Sequence, residues 1–112
     1  MIYWIWLTQL PFIGPVTARY LIGELKDAEN IYKADAGHLA EIPGLSERQR
    51  RSILQNHSLE LPKRIFEDCQ NNNISILCWN DKRYPVRAKK PADAPVVLYY
   101  KGNFKNMDQR LG

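Results

Sequence analysis

Two short stretches of the chain pair a glycine with residues that start helices: Pro11-Phe12-Ile13-Gly14-Pro15-Val16-Thr17-Ala18 and Ile42-Pro43-Gly44-Leu45-Ser46-Glu47-Arg48. The chemistry such a turn offers is anion binding. Gly44 can take a positive φ that is costly for other residues. Ser46 suits the N-cap position, where its hydroxyl accepts from a backbone N–H one turn on, and Glu47 favours the positive end of the helix dipole. The other amides of a helix start face outward toward an anion, and phosphate is the common one. In the first stretch Gly14 is expected to make the turn, and Pro15 fits the first helical position, where its missing N–H costs nothing. Basic side chains stand nearby. Arg48 and Arg51 share a helix face, Arg50 is expected to point elsewhere, and Arg19 lies on the helix after Gly14.

The pairing resembles two helix-hairpin-helix units, a module that usually grips the nucleic-acid backbone without reading sequence. Its usual turn has two glycines flanking one apolar residue. The first copy keeps the second glycine and has Phe12 in place of the first; the second keeps Gly44 and has Ser46 in place of the other. The basic residue often found two positions further on is Val16 in the first copy and Arg48 in the second. Phe12 is expected to pack inward and to hinder backbone approach to a phosphate. Gly14, Arg19, Gly44, Leu45, Ser46, Arg48 and Arg51 are the candidate DNA contacts here. The alternative is that both hairpins are scaffold, holding a small helical bundle together.

The charge is unevenly spread. Of the 112 residues, 16 are Lys or Arg and 12 are Asp or Glu, for a net charge of +4. Met1 to Trp79 carries eight basic against nine acidic residues, a balance of −1, whereas Asn80 to Lys105 carries seven against two, a balance of +5. The basic character thus sits in Lys82, Arg83, Arg87, Lys89, Lys90, Lys101 and Lys105. Phosphate neutralisation supplies much of nucleic-acid affinity, so Lys82, Arg83, Lys89 and Lys90 join the candidate contacts. The alternative is a solvated loop, rich in lysine because it is exposed.

Other classes of function find little support. The 45% hydrophobic content is that of a folded protein, and no run approaches the roughly 20 apolar residues of a membrane helix. The apolar start, Ile2 to Leu10, has no basic segment before it and no small-residue cleavage site after it, and reads as a core helix rather than a signal peptide. Cys69 and Cys78 are too few for a disulfide framework or a zinc site and are expected to be reduced, as in the cytosol. His38 and His57 lack neighbours that would make a metal site. No nucleophile–base pair, metal spacing or phosphate loop points to an enzyme, and no cofactor is expected.

The elements that must position these residues follow from periodicity. Helices are expected at Ile2 to Leu10, at Pro15 to Leu25 with Val16, Tyr20 and Leu21 at helical spacing, at Ala28 to Lys33 with Ile31 and Tyr32 inward, and at Ala36 to Glu41 capped by Asp35. Two more are expected at Glu47 to Gln55, with Ile53 and Leu54 apolar, and near Pro62 to Asn72, with Ile65, Phe66 and Cys69 buried. Asn71-Asn72-Asn73 ends the last. Ile74 to Trp79 reads as a buried strand, Asp81 to Pro85 as a turn, and Val96 to Tyr100 as a second strand after the proline-bounded stretch Pro91 to Pro95. Helix, strand, loop, strand is the start of an α/β layer, which two strands and one helix do not close.

In combination these pieces resemble the N-terminal part of the DNA-processing protein A family (DprA, also called Smf). The matching residues are the Trp-rich first helix, the Gly14-Pro15 turn, Ile42-Pro43-Gly44-Leu45-Ser46, the Asn-rich helix end, Asp81-Lys82-Arg83-Tyr84-Pro85, and Ala94-Pro95-Val96-Val97-Leu98-Tyr99-Tyr100-Lys101-Gly102-Asn103. The resemblance covers essentially the whole chain. It implies a mainly α N-terminal bundle, helix-hairpin-helix or sterile-alpha-motif-like, over residues 1–61, followed over 62–112 by the first α/β elements of an extended Rossmann-like domain. It also implies a cytoplasmic bacterial protein that binds single-stranded DNA during natural transformation and helps load the RecA recombinase, without catalytic turnover. In that family the Rossmann domain supplies the main DNA pocket and the dimer surface. This chain stops at Leu111-Gly112, about where the first regular strand and its loop should begin, so that pocket is expected to be absent and the fragment is expected to self-associate or to end in loosely packed residues.

Two readings follow. In one, the chain is a DNA-binding module to which Tyr84, Tyr99 or Tyr100 adds stacking that tolerates any base. In the other, it is a protein–protein interaction domain with no DNA binding of its own, which the near-neutral helical part fits.

Overall fold

The computed structural model describes residues 1–91 and 93–101. Gly102, Asn103, Lys105 and Leu111-Gly112, which figure in the expectations above, lie outside the described residues. Six helices come first: α1 (Ile2–Thr8), α2 (Pro15–Leu25), α3 (Ala28–Lys33), α4 (Ala36–Ala40), α5 (Glu47–Gln55) and α6 (Glu60–Asn71). Strand β1 (Ile74–Cys78), a 3₁₀ turn (Val86–Lys89) and strand β2 (Val97–Lys101) follow.

Local chemistry sets the helix starts. Pro15 occupies the first turn of α2, where its ring pre-sets φ and no donor is lost. The carboxylates of Asp27 and Asp35 accept from Glu29 N at 2.9 Å and His38 N at 2.7 Å, capping α3 and α4. Ser46 and Gln49 form a reciprocal capping box at α5, with both hydrogen bonds at 3.1 Å, satisfying two otherwise orphaned donors. Pro62 lies in the first turn of α6, where its nitrogen has no intrahelical acceptor to lose. That helix stops as Asn72 Nδ2 donates back to Asp68 O at 2.7 Å and Asn73 turns to φ +56°, a conformation asparagine tolerates better than most residues.

Helix α1 is the centre of the molecule. Trp4, Ile5, Trp6 and Leu7 are all buried, and the helix packs on α2, α3, α6 and β2. Fully burying a large apolar side chain is worth about 1.5–3 kcal/mol, so this one heptapeptide supplies much of the reason to fold. Leu21, Ile31, Leu39 and Ile53 join it from four other helices, and Cys78, Val96 and Val97 join it from the strand region. A single apolar cluster therefore runs through helices and strands.

The inner face of α2 differs from expectation. Its buried residues are Ala18, Leu21 and Ile22, while Val16 is 60% exposed and Tyr20 is 37% exposed. Positions 18, 21 and 22 share one face at helical spacing. The small Ala18 carries little apolar signal, so the sequence pattern pointed to the bulkier Val16 and Tyr20 instead. Neither Trp4 nor Trp6 faces solvent, and Tyr3 packs on Tyr32 with ring centroids 5.1 Å apart.

The strands pair antiparallel, with Ile74 opposite Lys101, Ile76 opposite Tyr99 and Cys78 opposite Val97. Helix α6 packs against β1. Among the described residues the sheet has these two strands. The fold is thus mainly helical with a small antiparallel sheet. None of the described helices is long and apolar enough to cross a membrane.

Candidate nucleic-acid interface

The second hairpin has the geometry its residues dictate. Gly44 sits at φ +82°, the left-handed region where a side chain would be strained. Leu45 is buried and anchors the turn. Arg50 reinforces it by donating from Nη1 to Leu45 O at 2.6 Å, so this arginine does point away from Arg48 and Arg51, and it holds the turn from behind. The capping box uses the amides of Ser46 and Gln49. The amides of Glu47 and Arg48, at the first two positions of α5, have no intrahelical acceptor.

The first hairpin departs from expectation in two ways. Gly14 is extended, at φ −88° and ψ −176°, and serves as the N-cap of α2. The left-handed residue is Phe12, at φ +65°. Phe12 also does not pack inward, being 60% exposed. Its backbone bends the wrong way for its ring to reach the core, which Ile13 enters instead. The carbonyls on either side of this bend are held by α5: Ser52 Oγ donates to Pro11 O at 2.6 Å, and Gln49 Nε2 donates to Phe12 O at 3.2 Å.

This bend brings Phe12 to the second hairpin. The Arg48 guanidinium carbon stands 5.1 Å from the centroid of the Phe12 ring, a cation–π distance. The two hairpins thus meet at an exposed aromatic ring and an exposed cation. Arg51, also exposed, is tied to Glu47 at 2.8 Å, and a phosphate would have to compete with that carboxylate.

A second convergence joins the helices to the basic segment. Arg19 on α2 donates from Nη1 to Pro91 O at 3.0 Å and places its guanidinium 4.5 Å from the Trp79 ring centroid. Lys89 Nζ lies 4.8 Å from the same ring and 5.4 Å from that of Tyr84. Trp79 and Tyr84 meet edge to face at 5.2 Å. Tyr84 itself is only 2% exposed and donates its hydroxyl to Pro95 O at 2.6 Å. It is therefore a core residue and not a stacking platform, because its ring fills the space beneath the loop. Tyr99 is 42% exposed on β2.

The other basic candidates stay apart. Arg83 makes a two-pronged contact with Asp81, Nε at 3.1 Å and Nη2 at 2.9 Å. The Arg83 hydrogen bonds hold the Asp81 carboxyl below its usual range. Lys82 and Lys90 are exposed. Among the described residues no cluster of His, Cys, Asp and Glu could hold a metal ion.

Sequence reasoning missed the parts played by Phe12, Gln49 and Trp79. Trp79 carried one signal: it is the sole tryptophan outside α1, and it directly follows a strand beside a basic segment.

Residues 7–55 match a family described as a SAM-like helix-hairpin-helix tandem, which covers both turns. Over 108 residues, 96% of this chain, the sequence is 27% identical to Protein Smf of Synechocystis sp.. The chain spans 27% of the length of that relative. No solved structure matches this chain.

Proposed function

Starting from a chain that resembles the DprA/Smf family along 96% of its length, we propose that it is a DNA-processing module that binds single-stranded DNA through the backbone, without sequence choice. The observation that carries this reading is the meeting of the two hairpins, where Arg48 lies over the exposed Phe12 ring beside the Gly44 turn. A cation and a flat apolar ring side by side suit a strand that offers phosphates and unpaired bases together. The role is binding and hand-over, not catalysis. By family resemblance the DNA is passed to the RecA recombinase during transformation in the bacterial cytoplasm, and the strand region begins a Rossmann-like layer through which the longer protein self-associates.

A specific observation favours a second reading. Phe12, Val16 and Tyr20, four residues apart, are all exposed large hydrophobics, and such residues also mark protein contacts. Fluorescence anisotropy of a labelled oligo-dT separates the two. Binding with a Kd of about 1–100 μM at physiological salt is the result expected of sequence-independent contact. No binding at low salt would leave the protein-interaction reading in its place.

A further inference from the structure

We propose that the groove between α2 and Trp79 is a second DNA contact, one that takes a single unstacked nucleobase on the plane of the Arg19 guanidinium while Lys89 meets the adjoining phosphate. The inference rests on the DNA-binding reading above and deepens it.

The groove is lined by Val16, Arg19, Tyr20 and Trp79. Its parts come from separate stretches of sequence and are each held in place. Arg19 is fixed at one end by Pro91 O, at 3.0 Å, and backed by the Trp79 ring at 4.5 Å. Tyr20 is fixed by its hydroxyl, which donates to Pro43 O in the second hairpin. Lys89 lies beside the groove, its Nζ 4.8 Å from the Trp79 ring centroid. A guanidinium immobilised before binding loses little freedom when a ligand stacks on it, and planar stacking is indifferent to which base is present.

The chemistry identifies the occupant. Among the described residues no carboxylate lines the groove, and two cations converge on one ring, which favours a polyanion over an acidic-and-basic protein surface. The flat groups, Arg19, Tyr20 and Trp79, call for a flat partner. In a duplex the bases are paired and stacked, out of reach of such a groove. The site therefore makes the module choose single strands, whereas a grip on phosphates alone does not discriminate so strongly.

The test compares oligo-dT with an abasic oligomer of the same length, which keeps the phosphates and loses the bases. One stacked base is worth about 1–3 kcal/mol, so the native chain is expected to bind oligo-dT about tenfold or more tightly than the abasic strand. Arg19→Lys keeps the charge but loses the plane, and is expected to lower that ratio about fivefold or more, leaving only the base preference that Phe12 confers. A ratio near unity in the native chain, or an undiminished ratio in Arg19→Lys, overturns the inference while leaving the binding reading intact. Failure to bind either strand overturns both.

Discussion

Gln49 Nε2 on α5 donates to the backbone carbonyl of Phe12 at 3.2 Å, so the helix of the second hairpin holds the turn of the first. The other end of the same side chain accepts from Ser46 N at 3.1 Å, closing the capping box. One side chain thus fixes the start of its own helix and the strained bend of its neighbour. Losing a cap costs about 0.5–2 kcal/mol, and losing a typical hydrogen bond costs about 0.5–1.5 kcal/mol. Gln49→Ala is expected to lower stability by about 1–3 kcal/mol in urea denaturation. It is also expected to weaken oligo-dT binding, because Phe12 and Arg48 no longer meet.

The two turn glycines are predicted to behave oppositely. Gly44, at φ +82°, is strained by any side chain, and Gly44→Ala is expected to cost about 1–2 kcal/mol. Gly14 has an ordinary extended φ and nothing within 4 Å of where a Cβ would sit. Gly14→Ala should therefore fold with a midpoint close to that of the native chain. Parallel denaturation curves check the contrast.

How legible was this in the sequence? Residues with strong local chemistry declared themselves. Pro15, Asp35, Ser46 and the Asn71-Asn72-Asn73 run gave helix ends within a residue or two, since capping and chain reversal are local. The resemblance to the SAM-like helix-hairpin-helix tandem was also visible, because Gly44 and its cap are adjacent in sequence. Long-range relationships were not. The outward turn of Phe12 depends on donors that α5 supplies to carbonyls about 40 residues earlier in the chain. The approach of Arg19 to Trp79 joins two residues far apart in the chain. Tyr84 looked like a stacking residue because the sequence does not show that Pro95 would accept its hydroxyl.

The Asp81 turn should respond to acid. The hydrogen bond from the Arg83 side chain, and then that from its backbone, lower the Asp81 pKa. A depressed carboxyl contributes stability above its unfolded pKa of about 3.9, and that contribution is lost as pH falls through the folded value. The Arg83 amide, which donates to Asp81 Oδ1 at 2.9 Å, is expected to lose hydrogen-exchange protection as pH falls through the lowered Asp81 pKa. Asp81→Asn should remove this pH dependence.

Cys78 is predicted to be a slow thiol. It is buried, and burial raises its pKa to about 11. At pH 8 only about one such thiol in a thousand is a thiolate, the form that reacts. Alkylation by iodoacetamide, followed by peptide mass analysis, should label Cys78 slowly in the native chain and rapidly in denaturant.

The meeting of the two hairpins is proposed to bind the DNA backbone. The salt dependence of oligo-dT binding tests it most directly, measured by anisotropy for the native chain and for Arg48→Ala. Each phosphate contact to single-stranded DNA contributes about 0.7 to the slope of log K against log salt. Arg48→Ala is expected to weaken binding and to lower the magnitude of that slope by about 0.7. Equal affinity and an equal slope in the two proteins would contradict it.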